Sequence, residues 1–376
     1  MLARTFVILG LIFGLAGATA HARADSGLEA ALAWLASAQR PDGGFSGASP
    51  DASDAGTTAD VVSGLAAAGV DPRSWTNMGR SPLDFLEEAA SASQGFSGSA
   101  GLAAKVVLAA QAVGENPRQF GAQDLVASLL AGFDPATGLF GSGPFDSALA
   151  LAALGAAGEA VPEGAVEGLL STRLEEGSYS FSGDLTPGAG DSNTTAMAVL
   201  GLMAVGRPEE VSASLEYFHR AQNEDGGWTY QKPSAFGEET DANSTSLVML
   251  ALDAAGEAWV EWSDPLQALL ALQQPDGSFA YNASTPGANL LATVQAIPAL
   301  AAAARQPVPA TETASPTAPP SETAGPTGVS MTPAATSTPE AGAAPTGGET
   351  ALVVAALVVA LGVAWWLGRR SSSEPS

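Results

Sequence analysis

Three short polar strings hold most of what this chain offers for chemistry: Asp54-Ala-Gly-Thr57-Thr58, Asp191-Ser-Asn193-Thr194-Thr195 and Asp241-Ala-Asn243-Ser244-Thr245. A fourth, Gly143-Pro-Phe-Asp146-Ser147, has its carboxyl three residues further in. Each string opens an apolar run, and Asp, Asn, Ser and Thr cap helices by accepting from the first free N–H groups. Capping alone accounts for them one at a time. Gathered at one mouth, the same donors and acceptors would line a pocket, because small-ligand sites are clefts with a few convergent polar groups. The candidate ligand-binding residues are therefore Asp54, Asp146, Asp191, Asn193, Thr195, Asp241, Asn243 and Thr245, with Tyr230 and Tyr281 beside them. No residue is assigned to catalysis, and Asp146 is the one fallback acid.

Composition removes other chemistries. The chain has no cysteine, which excludes thiol nucleophiles, zinc ribbons and disulfide frameworks. Its only histidines are His21 and His219, too few for a histidine-built metal site. With 14 Lys plus Arg against 39 Asp plus Glu and a net charge of −25, nothing could neutralise a phosphate backbone, so nucleic acid is not a partner. Glu238, Glu239 and Asp241 with Asp225, or Asp42, Asp51 and Asp54, lack the spacing of a calcium loop and read as solvated acidic faces. No metal and no cofactor is expected.

The elements that must position these strings repeat along residues 25 to 305. An aromatic residue after a glycine-containing turn recurs at Phe45, Phe96, Phe140, Phe181, Trp228 and Phe279. Before each turn runs an amphipathic stretch, such as Leu28, Leu32, Leu35 and Gln39. After it comes a nearly uncharged one, with Asp54, Leu65 and Gly69 echoed by Asp191, Leu202 and Gly206 and by Asp241, Leu252 and Gly256. An Asp opening and a Gly closing are helix start and stop signals. An amphipathic helix followed by one apolar all round, six times over, predicts an outer ring of helices around a buried inner ring. In a closed ring the inner helices would begin together at one mouth.

Gln39-x-x-Asp-Gly-Gly-Phe45, Gln222-x-x-Asp-Gly-Gly-Trp228 and Gln273-x-x-Asp-Gly-Ser-Phe279 resemble the signature of the prenyltransferase and squalene-cyclase repeat superfamily. The resemblance implies an all-α fold, a six-hairpin α/α toroid like those of terpenoid cyclases and protein prenyltransferases. For a cyclase it implies an acid within D-x-D-D-T-A. Here the matching string Asp191-Ser-Asn193-Thr194-Thr195-Ala196 puts Thr194 where that acid stands, and a hydroxyl does not protonate an alkene. The zinc site of the protein prenyltransferases and the thioester of complement-like members both need cysteine. Thr194-Thr195-Ala196-Met197-Ala198 is similar to the inner-helix starts of the non-catalytic cobalamin carriers. The expectation is a binding module for a small corrinoid-like or isoprenoid-like ligand. The alternatives are a cyclase-like enzyme using Asp146 and a surface adhesin using an acidic outer face.

The two ends give an address. Residues 1 to 24 carry Arg4, an apolar stretch and small-x-small sites at Ala18 to Ala24, the pattern of a secretory signal peptide. Residues 306 to 350 hold nine prolines and ten threonines with no aromatic residue, a composition that cannot pack a core and predicts a disordered stalk. Ala351 to Gly368 is uncharged, carries Trp365 and Trp366 and is followed by Arg369 and Arg370, the marks of a transmembrane helix with residues 369 to 376 as a short cytoplasmic tail. The expected protein is single-pass in the cell membrane with a monomeric ectodomain outside. Pro345-Thr346-Gly347 leaves sortase processing as the other fate of the C-terminus.

Overall fold

Gln39, Gln222 and Gln273 show how the repeat is built. Each sends its side-chain N–H to the carbonyl of a glycine four residues on, at Gly43, Gly226 and Gly277, and also to the chain that begins the next outer helix, at Trp75, Trp262 and Gly27. The following Asp closes the turn on itself: Asp42, Asp225 and Asp276 accept from the backbone N–H of Gly44, Gly227 and Ser278. The glycine adopts φ of +86°, +93° and +92°, where a side chain is strained. A Cβ there would also sit 2.1–2.3 Å from a carbonyl oxygen at Ser81, Ser263 or Ala30. Local turn chemistry therefore sets the spacing between neighbouring hairpins.

The protein is described from a computed structural model covering residues 22–47, 51–234 and 237–306. Among these residues there are twelve α-helices. In chain order they pair as α1 (22–37) with α2 (Ala55–Ala67), α3 (Pro82–Ala92) with α4 (Ala100–Ala112), and α5 (Leu125–Leu130) with α6 (Pro144–Ala156). Then follow α7 (Ala165–Leu170) with α8 (Ser192–Ala204), α9 (Ser212–Ala221) with α10 (Ala242–Ala255), and α11 (Pro265–Leu270) with α12 (Leu290–Ala303). The even-numbered helices pack in sequence and α12 returns onto α2, closing the inner ring. Every residue from Ser192 to Leu202 and from Ala242 to Leu252 is buried, whereas α9 buries only Ser214, Tyr217, Phe218 and Ala221. This is the α/α toroid expected from the alternation of amphipathic and apolar stretches. Gly201 and Gly155 bring α6 and α8 close, since a Cβ on either would meet the other helix's carbonyl oxygen at 2.4–2.5 Å.

The turn aromatics point into the space between the rings, and five share one bond. The backbone N–H of Phe45, Phe140, Trp228 and Phe279 donates to the hydroxyl of Thr58, Ser147, Thr245 and Thr293, four residues after each inner-helix cap. In the fourth hairpin that role falls to Tyr179, bonded to Thr195 and fully buried, and not to Phe181. The sequence reading is therefore out of register by two residues there. Gly177, at φ +91°, marks the true turn. In the third hairpin the turn is a two-residue ladder, β1 (Phe133–Asp134) against β2 (Leu139–Phe140), with Phe133 opposite Phe140.

The toroid starts earlier than residue 25. Residues 22 to 24 already belong to α1, Ala24 is buried and Arg23 donates to the Gln267 side chain at 2.7 Å. The rest of the expected leader, the stalk beyond Gln306, the transmembrane helix and the tail lie outside the described residues. Among the described residues no helix is long and apolar enough to cross a membrane.

Candidate functional site

The inner helices begin at one end of the ring, four of them on a bonded side-chain cap: Asp54, Asp191, Asp241 and Asn289. Asp54, Asp191 and Asp241 accept from the N–H of Thr57, Thr194 and Ser244, each at 2.7 Å. Their second oxygens are also taken, by Gly47 N–H, Phe181 N–H and the Ser244 hydroxyl. Asp54 is half-buried, whereas Asp191 and Asp241 are buried. Burial pushes Asp191 up to about 6 and Asp241 to about 7, against the capping bonds that favour the charged form. Asp146 belongs to the same end but caps differently. The cap of α6 is Gly143, which has no side chain, so the Asp146 carboxylate reaches back to the Ser142 N–H and hydroxyl, both at 2.8 Å.

Thr195 and Thr245 are fully buried, and their hydroxyls are engaged with the aromatic turns and do not face an open mouth. Asn193 and Asn243 are different. They are the second residues of α8 and α10, 6% and 4% exposed, and the Oδ1 of each has no protein partner. The fourth position after five of the six caps holds the hydroxyl turned towards the outer ring, and α4 has Ala103 there. Positions two and six then lie on the opposite, axis-facing side by the 3.6-residue period. The second position reads Gly56, Gly101, Phe145, Asn193, Asn243 and Leu291 around the ring. One sector of the mouth therefore presents amides, and the opposite sector presents glycines and apolar side chains.

Tyr230 and Tyr281 are half-buried and bridge neighbouring hairpins. Their carbonyls accept from Ser192 N–H at 2.7 Å and Ala242 N–H at 2.9 Å, at the starts of α8 and α10. The Tyr230 hydroxyl lies within electrostatic reach of Asp191 and that of Tyr281 within reach of Asp241, and burial drives both phenols well above their usual range. Tyr217, not anticipated from sequence, joins this sector from α9. Its hydroxyl is buried without a hydrogen-bond partner, near Asp191 and Ser192. Adjacent to Phe218 on the buried stripe of α9, it carries no local signal distinguishing it from a core residue. Thr194 Oγ1 is a further buried, unpartnered group here.

One turn below the mouth, the sixth position after each cap reads Asp60, Lys105, Leu149, Met197, Leu247 and Gln295, all buried. By the same helical period these six positions lie on the axis-facing side. Charges inside otherwise apolar helices, at equal distance from their caps, are the sequence signal for this pair. A separate groove of about 620 Å³ opens on the outer wall, lined by Arg80, Asp84, Glu87, Glu88, Glu115 and Gln119 among others.

A family model, the prenyltransferase alpha-alpha toroid domain, matches residues 5–105 and 193–305, more than half of the chain. No curated protein matches. Among solved structures, a protein from Actinoplanes is similar at 17% identity and TM-score 0.57, over 75% of this chain and 99% of that one. The type II terpene cyclase MstE from Scytonema is similar at 17% identity and TM-score 0.55, over 75% and 99%. A variant of it is seen with its substrate geranylgeranyl dihydroxybenzoate. An unsaturated glucuronyl hydrolase specific for heparin is similar at 11% identity and TM-score 0.55, over 76% and 97%. At these identities the likeness is one of fold.

Proposed function

Because the chain belongs to the prenyltransferase alpha-alpha toroid family, we propose that it is a membrane-tethered, extracytoplasmic binding module. It holds a small corrinoid-like or isoprenoid-like ligand at the inner-helix mouth and does not transform it. The observation that carries this reading is the pair of buried, unpartnered amide oxygens, Asn193 Oδ1 and Asn243 Oδ1, on adjacent inner helices. A buried acceptor left without a donor costs about 1–3 kcal/mol, so two side by side mark where a partner from outside the chain is received. Tyr217, Tyr230 and Tyr281 add apolar faces with polar tips in the same sector, suited to a ligand with both characters. A ligand rich in amide N–H groups would satisfy the asparagines, which favours the corrinoid-like member of the pair. The fold shared with a terpene cyclase supports the isoprenoid-like one.

The absence of catalysis rests on Thr194 at the acid position and on Asp146 already bonded to Ser142. Tethering rests on the leader, the Pro/Thr stalk and the apolar run Ala351 to Gly368. Processing after Ala20 would leave all of α1 in the mature protein. Native mass spectrometry of the full chain taken from its own host tests the reading. A retained small molecule that is lost in Asn193→Ala plus Asn243→Ala, with folding intact, is the expected result. Retention in that double variant would sink the mouth assignment. The adhesin alternative draws on the acidic outer groove, and it predicts partner binding that survives the double variant and weakens steeply with salt. Product formation lost in Asp146→Asn would instead restore the cyclase-like alternative.

A further inference from the structure

The polar residues on the axis below the mouth form a cluster of their own. Asp60 on α2 and Lys105 on α4 stand at the same level of neighbouring inner helices, with Nζ 2.8 Å from Oδ2. Their side chains are 2% and 5% exposed. The equivalent positions of the other inner helices hold buried Leu149, Met197, Leu247 and Gln295, the last on α12, which packs against α2. Asp60 Oδ1 has no protein partner, and neither amide atom of Gln295 has one. Two charges held so far from water bear a desolvation penalty that their attraction offsets only in part. Burial accordingly raises Asp60 to about 7, in spite of the lysine beside it.

We propose that Lys105 and Asp60 are joined by an intramolecular amide bond. Within the pair the ammonium of Lys105 gives one proton to the Asp60 carboxylate, Nζ attacks Cγ of Asp60, a C–N bond forms and one Cγ–Oδ bond breaks. The departing oxygen leaves as water with the carboxyl proton and one proton from Nζ, so no oxidant or co-reactant is required. Gln295 Nε2, buried without a protein partner on the helix packed against α2, is assigned the donor role towards the oxygen that gains charge in the tetrahedral intermediate. Two rigid helices hold the reactants together, which supplies the effective concentration that free amine and acid lack. The product buries no charge, and it staples the first hairpin to the second in a chain without cysteine.

Tryptic mapping of the denatured full chain decides the question. Trypsin cuts after Arg73, Arg80 and Arg118, so the bond links the peptide ending at Arg73 to an uncut 81–118, with the mass of one water missing. The expected result is that linked pair as the main form of both segments, and its disappearance in Lys105→Arg. Recovery of separate 81–105 and 106–118 peptides as the main form, showing a free Lys105, overturns the proposal. The wild-type map alone is decisive should the variant fail to fold.

Discussion

Two kinds of side chain meet at the starts of α8 and α10, those whose bonds are complete within the fold and those left open. Asp191 and Asp241 belong to the first kind, so replacing them by alanine would test capping more than binding, at about 0.5–2 kcal/mol per cap. Their titration has its own consequence. An unfolded aspartate titrates near 3.8, while burial holds these two at about 6 and about 7. Through that window the folded chain binds more protons than the unfolded one, so stability is fullest below about pH 4 for these groups and is lost as pH rises to about 7. The melting temperature should therefore fall by several degrees between about pH 5 and about pH 8, and Asp191→Asn plus Asp241→Asn should flatten the fall. Stability that climbs over the same range would contradict the assignment. Asn193 and Asn243 belong to the second kind. Each alanine replacement should weaken ligand binding about tenfold or more, with little change in melting temperature. The types and spacing of these residues were legible in the sequence, but which ones remain unpaired was not. That depends on Phe181, Tyr230 and Tyr281 arriving from other turns.

At the scale of the hairpin, the repeated element is a turn that addresses its neighbour. Gln273 and Gly277 are the most informative copy because their neighbour is α1, at the opposite end of the sequence. Gly277→Ala forces a Cβ within 2.3 Å of the Ala30 carbonyl oxygen at a φ of +92°, and should cost about 2 kcal/mol or more in denaturant unfolding. Gln273→Ala leaves two carbonyls short of a donor and should cost about 1–3 kcal/mol. The register of the fourth hairpin can be checked in the same assay. Tyr179→Ala removes a fully buried ring and should cost about 3–5 kcal/mol, whereas the half-buried Phe181 should cost clearly less. The reverse order would restore the sequence-based register. That error arose because Tyr179 and Phe181 both follow Gly177 and both are aromatic, and only the bond to Thr195 separates them.

For the whole molecule, the toroid has no free end to its inner ring, since α12 packs on α2 and the last turn bonds to the first helix. Damage at this seam should lower the stability of all six hairpins together. Hydrogen exchange on Gln273→Ala should show protection lost in α6 as well as in α12, whereas fraying confined to α11 and α12 would count against a closed ring. A net charge of −25 adds self-repulsion that salt screens, so added salt should raise the melting temperature.

The sequence by itself determined six hairpins, buried inner helices of which three open on Asp and close on Gly, a glutamine turn that ties neighbours, and the absence of any thiol. All of these rest on contacts within a few residues or on composition, which a linear reading contains. Only the tertiary structure decided that Thr195 and Thr245 bond to turns, that Tyr217 joins the mouth, and that Asp60 and Lys105 meet between neighbouring inner helices. Burial and pairing arise between helices far apart in the chain, and α12 reaches α2 only once the ring is closed.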